Sequence, residues 1–380
     1  MPGIAKRKYN GELIRFSKSM KQPLNRIIET LAPGYSGKDL LDAFINYYPF
    51  EWRIIYERQN AYTEKDAFLQ KQHKKTRYKP LKPTKYFFSL QKVKNILSKG
   101  FRKKHAQNYN EEVRLQKEIE LKRERDSIIE KRQRKINQNT KLQQQIDPGF
   151  LDALIYSYYR RNNTINDKIE IFKEIQKYNC NKTVTFFRKL NDSERNDEIR
   201  NLAFQHLQKT GHYVKLRKKF KGKKKQYYTE KDTFFGTPEL LLEKLQKASL
   251  TQRVKHFDLF ISHSSKDIEI VNKIVNLANV IGLNCYVDWL SDDNFLKRSM
   301  VSEYTREVLK FRLSQSKKLL YLSSSNSRKS PWVIFELDYF QNTVKREMKM
   351  ILLEGTDERA LKYIHFSELN KEKLDKLLRV

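Results

Sequence analysis

Apolar side chains return every three to four residues through most of the first two hundred positions, the spacing of helices with one buried face. Leu40, Leu41, Phe44, Ile45 and Tyr48 make one such stripe, and Ser36 stands where an N-cap belongs. Residues 1–100 read as mainly helical. Pro80 and Pro83 interrupt the pattern amid Lys74, Lys75, Arg77, Lys79 and Lys82, which predicts a basic loop. Between Phe101 and Asp147 there is neither glycine nor proline, and Glu118–Lys122 and Glu130–Arg134 have the i,i+4 spacing that supports a helix. One long charged helix is expected over 101–147. Its sparse apolar residues keep no clean heptad, so a regular coiled coil does not follow.

Asp147-Pro148-Gly149 closes that element and opens a basic unit of mixed, largely helical pattern over 148–250. Leu151, Leu154, Ile155 and Tyr158 share a face, as do Ile165, Ile169, Phe172 and Ile175. Asp192–Leu207 is a further helical pattern. Tyr213 to Arg217 alternates like a strand, and Glu239 to Leu245 reads as a short apolar helix.

Over 251–380 the period changes. Short apolar runs (Phe257–Ser262, Asn284–Asp288, Lys318–Ser323, Met348–Leu353 and Ile364–Phe366) alternate with helical segments at Asp267–Gly282, Ser299–Leu313, Trp332–Val344 and Asn370–Leu378. That alternation predicts a parallel sheet covered by helices on both faces. Ligands of such sheets sit at the carboxyl ends of the strands.

Composition removes several classes. Cys180 and Cys285 are too few for a disulfide framework and have no metal-site spacing. No run of about 18 apolar residues is present and no secretory leader is legible, which predicts a cytoplasmic chain without a membrane span. The net charge of +33 is unevenly placed: residues 1–250 hold 56 basic and 28 acidic side chains, residues 251–380 hold 22 and 17. Excess charge therefore belongs to the first two-thirds. Its densest part, Tyr213–Tyr228, interleaves Lys215, Arg217, Lys218, Lys219, Lys221, Lys223, Lys224 and Lys225 with Tyr213, Phe220, Tyr227 and Tyr228. Cations that neutralise phosphate beside rings that stack on bases suit a nucleic acid. A solvated basic surface is the plainer alternative.

Candidate chemistry sits at the strand ends. Ser262-His263-Ser264-Ser265-Lys266-Asp267 follows the first strand; it either receives an anion on backbone N–H groups or caps the next helix through Ser265 or Asp267. Asp288 and Trp289 end the second strand; the indole stacks on a base or a neighbouring subunit, or belongs to the core. Trp332 and Glu336 are i and i+4 on one helix face. An aromatic wall beside one carboxylate suits a sugar that develops positive charge, although a lone helical Glu is more often solvated.

Three of these segments carry a resemblance. Asp258–Asp267 resembles the first conserved box of the Toll/interleukin-1 receptor (TIR) domain, bacterial branch. Tyr286-Val287-Asp288-Trp289 is similar to that branch's second strand and following loop, and Ser327–Leu337 is similar to its helix C motif. The resemblance covers about residues 255–375. It implies a C-terminal α/β flavodoxin-like TIR domain with a five-stranded parallel sheet, behind a mainly α-helical basic N-terminal region. It also implies NAD+ as substrate, with no metal and no further cofactor, cleaved at the nicotinamide–ribose bond. By motif position Glu336 is the catalytic residue, and Phe260, Ser262, His263, Ser264, Asp288, Trp289 and Trp332 lie against the nucleotide. Water or an internal nucleophile completes the reaction, giving ADP-ribose or a cyclic product. Homo-oligomerisation through the TIR domain is the implied on-switch, and anti-phage defence the implied setting. Residues 1–250 are left to bind nucleic acid or a partner protein. A non-catalytic TIR scaffold with a nucleic-acid-binding N-terminal region is the competing reading.

Overall fold

A computed structural model describes residues 4–215, 239, 241–243, 252, 254–292 and 303–379. The chain divides into two compact units, residues 1–137 with 211–213, and residues 138–210 with 214–380. Among the described residues no helix is long and apolar enough to cross a membrane.

The first unit is helical: α1 (Ile4–Ser19), α2 (Lys21–Ile28), α3 (Gly37–Tyr47), α4 (Pro49–Lys71), α5 (Pro83–Ser89), α6 (Gln91–Ile96), α7 (Lys99–Gln107) and α8 (Glu111–Thr140), whose last residues pass into the second unit. Ser36 is the N-cap of α3, as the sequence predicts, and it forms a reciprocal capping box with Asp39. Leu24, Ile27, Leu40, Phe44, Phe87, Val93 and Ile96 fill the core. The basic loop after α4 is tied down by Asp66, whose carboxylate accepts the backbone N–H groups of Arg77, Tyr78 and Lys79. The single helix expected over 101–147 is instead two. Asn110 accepts the N–H of Val113 at 3.0 Å and starts α8 afresh, because an Asn side chain competes with the helical ladder and is favoured at a cap. Glu118 pairs with Arg114 (2.7 Å), while Glu130–Arg134 forms at 3.3 Å.

The second unit joins two layers that the sequence reading separates near residue 250. Helices α9 (Leu151–Tyr158), α10 (Ile165–Gln176), α11 (Asn181–Ser193) and α12 (Asp197–Lys209) enclose a core of Leu154, Tyr158, Phe172, Ile175, Phe187 and Leu207. Tyr213–Lys215 is not in a strand; Tyr213 donates its backbone N–H to Glu57 instead. The sheet follows: β1 (Phe257–Ser262), β2 (Cys285–Tyr286), β3 (Ser316–Ser323), β4 (Met348–Leu352) and β5 (Tyr363–His365), all parallel in the order β2-β1-β3-β4-β5. This is the flavodoxin-like order, with its switch point between β1 and β3. Helices α13 (Ile268–Val280), α14 (Asp288–Ser291), α15 (Glu303–Ser314), α16 (Pro331–Tyr339) and α17 (Lys371–Arg379) complete it.

Strand alternation divides the core in two. Leu320, Leu322 and Ile351 face α13 and α17; Leu319, Tyr321 and Met350 face α15 and α16. β2 is shorter than expected, because Asp288 already begins α14. The helix expected over 332–344 ends at Tyr339 and widens into a turn over 340–344 that Lys345, at φ 54°, closes by donating to Phe340 O.

Candidate active site

Ser262 is the last residue of β1, two positions beyond Phe260, so both side chains point to the α15/α16 face. Helix α16 begins with Ser330 as N-cap and Pro331 at its first position, where the missing N–H costs nothing. Val333 and Leu337 dock this helix on the sheet. Glu336, on the same turn, is thereby carried to the end of β1. Its Oε2 accepts the Ser262 hydroxyl at 2.6 Å, and Glu336 is only 9% exposed while Ser262 is fully buried. A carboxyl so placed loses solvation, and burial pushes it up from its ordinary 4.5 to about 8; the Ser262 hydrogen bond pulls the other way, and the negative charge of Asp288 pushes further up. The site at the switch point thus holds a buried carboxyl whose ionisation is held back by desolvation.

A second pair lines the same strand end. The indole N–H of Trp289, on α14, donates to His263 Nε2 at 3.0 Å. An indole only donates, so Nε2 accepts; Nδ1 then carries the proton toward Ile261 O at 2.9 Å. Both ring nitrogens are occupied and the tautomer is set. Asp288 Oδ1 lies 3.8 Å from the same Nε2. Ser264 caps the turn over Ser265–Asp267 by accepting from Lys266 N–H.

The structure brings several of these residues together. Ser262 and Glu336 touch, and His263 and Trp289 touch, with Asp288 beside both pairs. Trp289 takes the core alternative in part, packing beside the Val287–Leu290 cluster while its N–H serves His263. Trp332 is half-buried, edge-on to Phe335 with centroids 6.5 Å apart. Phe260 points into the core rather than the crevice, stacked on Tyr286 at 5.0 Å, because its strand position faces buried helices. Lys215 is described and exposed; Arg217, Lys218, Lys219, Lys221, Lys223, Lys224 and Lys225 lie outside the described residues.

Sequence reasoning missed the locks around the site. Asp267, read as a cap, accepts Ser324 Oγ (2.6 Å) and Asn326 Nδ2 (3.1 Å), which ties the loop after β1 to the loop after β3. Ser324 and Ser327 exchange backbone and hydroxyl bonds at 2.8 and 3.0 Å. A serine-rich run after a strand was the available signal; its partner in a distant loop was not. Among the described residues no group of three or more His, Cys, Asp or Glu could hold a metal ion.

The chain is similar to known proteins. The pattern described as a TIR domain matches residues 259–378. A Cytobacillus dafuensis protein carrying the provisional name cyclic ADP-D-ribose synthase TIR2 is 48% identical over 339 residues, 89% of this chain and 89% of that protein. An alignment of that length reaches well into residues 1–250. A Bacillus cereus (strain MSX-D12) protein with the provisional name 3′ cyclic ADP-D-ribose synthase ThsB′ is 35% identical over 97 residues, covering 26% of this chain and about half (49%) of that relative. No solved structure matches the chain at a significant level.

Proposed function

The chain belongs to the TIR-domain family, and from that premise we propose that it is an enzyme that cleaves NAD+ at the nicotinamide–ribose bond, with Glu336 as the catalytic residue. The single observation that carries the assignment of Glu336 is its position: a buried carboxyl, bonded to Ser262 at the switch point of a parallel sheet, with its ionisation held back by burial.

The chemistry needs little more. As the C1′–N bond breaks, its electron pair leaves with nicotinamide and the ribose becomes oxocarbenium-like. A carboxylate fixed beside the ribose stabilises that charge without having to reorganise. Arrival of the cationic nicotinamide ring favours ionisation of Glu336, so the anion forms when the charge it must balance is present. A nucleophile X–H then closes on C1′ and releases one proton, giving nicotinamide and the capped ribose.

The provisional names of both relatives are those of cyclic ADP-ribose synthases, which supports an internal nucleophile of the bound nucleotide over water. We assign the basic charge of residues 1–250 to sensing or assembly, with self-association of the TIR domain as the on-switch and antiviral defence as the setting. Those roles rest on charge and resemblance.

The test is mass spectrometry of NAD+ incubated with the chain and with Glu336→Gln. Nicotinamide and a cyclic ADP-ribose are expected from the first and neither from the second. Full turnover by a folded Glu336→Gln rejects Glu336 as the catalyst; ADP-ribose alone rejects cyclisation.

A further inference from the structure

A buried polar strap runs from the helical layer of residues 138–210 to the turn that carries Trp289. It has two strands of contact. Gln144 offers its side-chain amide to the outer edge of β2: Nε2 donates to Cys285 O at 2.6 Å, and Oε1 accepts Cys285 N–H at 2.9 Å. The amide thereby takes the place of a neighbouring strand on an edge whose backbone groups would otherwise be unpaired. The backbone of the same residue is bonded to the end of α10, its N–H to Lys177 O (2.9 Å) and its carbonyl to Asn179 N–H (2.8 Å). Lys177 supplies the second strand. Its ammonium donates to Ser291 O, the last carbonyl of α14, and to Glu174 Oε1 at 3.1 Å.

Lys177 is part of a buried charge cluster. Lys255 Nζ lies 2.6 Å from Glu174 and 3.9 Å from Asp292, and Arg312 grips Asp292 with bonds of 2.8 and 3.0 Å. Tyr286 OH also donates to Asp292. All five charged groups are buried. Among the described residues the cluster holds Lys177, Lys255 and Arg312 beside Glu174 and Asp292. Burying an ammonium costs desolvation that even a good ion pair barely repays, so stability alone explains Lys177 poorly. Besides Glu174, the ammonium holds the carbonyl at the end of a four-residue helix.

Leu290 seats that helix in the core, and Asp292, the residue after it, is held by Arg312. Ser291 N–H and Asp292 N–H donate to Val287 O and Asp288 O at 2.7 and 2.9 Å, and Ser291 Oγ accepts Val287 N–H. Its second residue is Trp289, which sets the tautomer of His263 beside Ser262 and Glu336. The geometry points to Lys177 and Gln144 as positioning residues for the active site: they hold the Asp288–Ser291 turn from the helical layer, and so set where Trp289 and His263 stand relative to Glu336. Residues 138–210 are then a built-in support of the catalytic crevice rather than a separate body, and anything that shifts α10 shifts the crevice.

The activity arm of the test rests on the proposed NAD+ chemistry; the exchange arm does not. Lys177→Met keeps Lys255 on Glu174 and Arg312 on Asp292, so folding is expected to survive. Hydrogen exchange by mass spectrometry on the full chain should show faster exchange of amides 288–292, with β1 and β3 unchanged. For NAD+, kcat should fall about tenfold while KM moves less than twofold. Lys177→Arg, which keeps the charge and donors, should restore both readouts to within about threefold.

Wild-type exchange at 288–292 in Lys177→Met overturns the inference. So does faster exchange spread evenly over β1 and β3, which marks a merely structural role. If the unmodified chain turns over no NAD+ but 288–292 loosens as expected, the proposed function fails and the positioning role stands. Should Lys177→Met not fold, Gln144→Ala faces the same readouts at 285–292 and the same refuting outcomes.

Discussion

Removing the Ser262 hydroxyl tests the electrostatic reading of Glu336 more sharply than removing Glu336 itself. In the folded chain the hydroxyl donates to Glu336 Oε2 at 2.6 Å inside a site with almost no solvent, and it is the contact that holds the carboxyl down against burial. A hydrogen bond to a charged group is worth about 1.5–3 kcal/mol. At about 1.4 kcal/mol for each tenfold, its loss should raise the ionisation of Glu336 from about 8 by roughly one to two pH units. If the carboxylate is the working form, kcat/KM of the unmodified chain rises with pH through about 8, because kcat/KM reports the free enzyme. In Ser262→Ala the same limb should appear near roughly pH 9–10. At pH 7 the variant should be slower by about 10- to 100-fold, yet approach the unmodified rate at the alkaline plateau to within about fivefold. The assay is nicotinamide release across pH 6–10.5, with far-UV circular dichroism at each end to show that the fold persists. An unmoved limb, or a loss of equal size at every pH, refutes the reasoning and makes Ser262 a contact of another kind.

Two further outcomes follow from buried charge. Because the folded value of Glu336 (about 8) lies above its ordinary 4.5, the folded chain holds a proton that the unfolded chain has released between those pH values, so stability falls as pH rises from 4.5 to 8 and levels off above. Glu336→Gln removes that slope. Its melting temperature should therefore gain on the unmodified chain between pH 5 and pH 8, with about 5 kcal/mol as the ceiling, and parallel melting curves across that range would contradict the burial argument. Arg312→Ala takes from Asp292 its two-bond partner and leaves it buried with Lys255 at 3.9 Å and the Tyr286 hydroxyl; burial raises this carboxyl, while the Arg312 guanidinium and Lys255 together hold it far below the carboxylate range. Denaturant unfolding should show a loss of about 3–5 kcal/mol; a loss under about 1 kcal/mol would mean that the cluster relaxes around the gap.

The elements were legible in the sequence because side-chain direction is a local property. Alternation at Leu319–Leu322 and helical spacing in Asp267–Gly282 report which face of each element is buried without reference to any partner. The same locality explains the errors: a single Asn at 110 restarts a helix that periodicity runs straight through, and Asp288 turns a strand into a helix within one residue. Glu336, Ser262, His263 and Trp289 could be singled out because a parallel sheet gathers its strand ends at one edge, and the order of three motifs pointed to that edge.

What tertiary structure alone decided is which of these groups meet. Ser262 and Glu336 are 74 residues apart, and Gln144 and Cys285 are 141 apart. No local pattern distinguishes Glu336 from a solvated helical Glu, or Lys177 from the many exposed lysines of a chain with a net charge of +33. Burial separates them. The free energy of ionising a carboxyl, or of keeping an ammonium out of water, depends on what the rest of the chain packs around it. The sequence by itself determined the sheet, the strand-end crevice and the uneven placement of charge. Folding turned one carboxyl into a group that titrates near 8 and one lysine into a fixed tether.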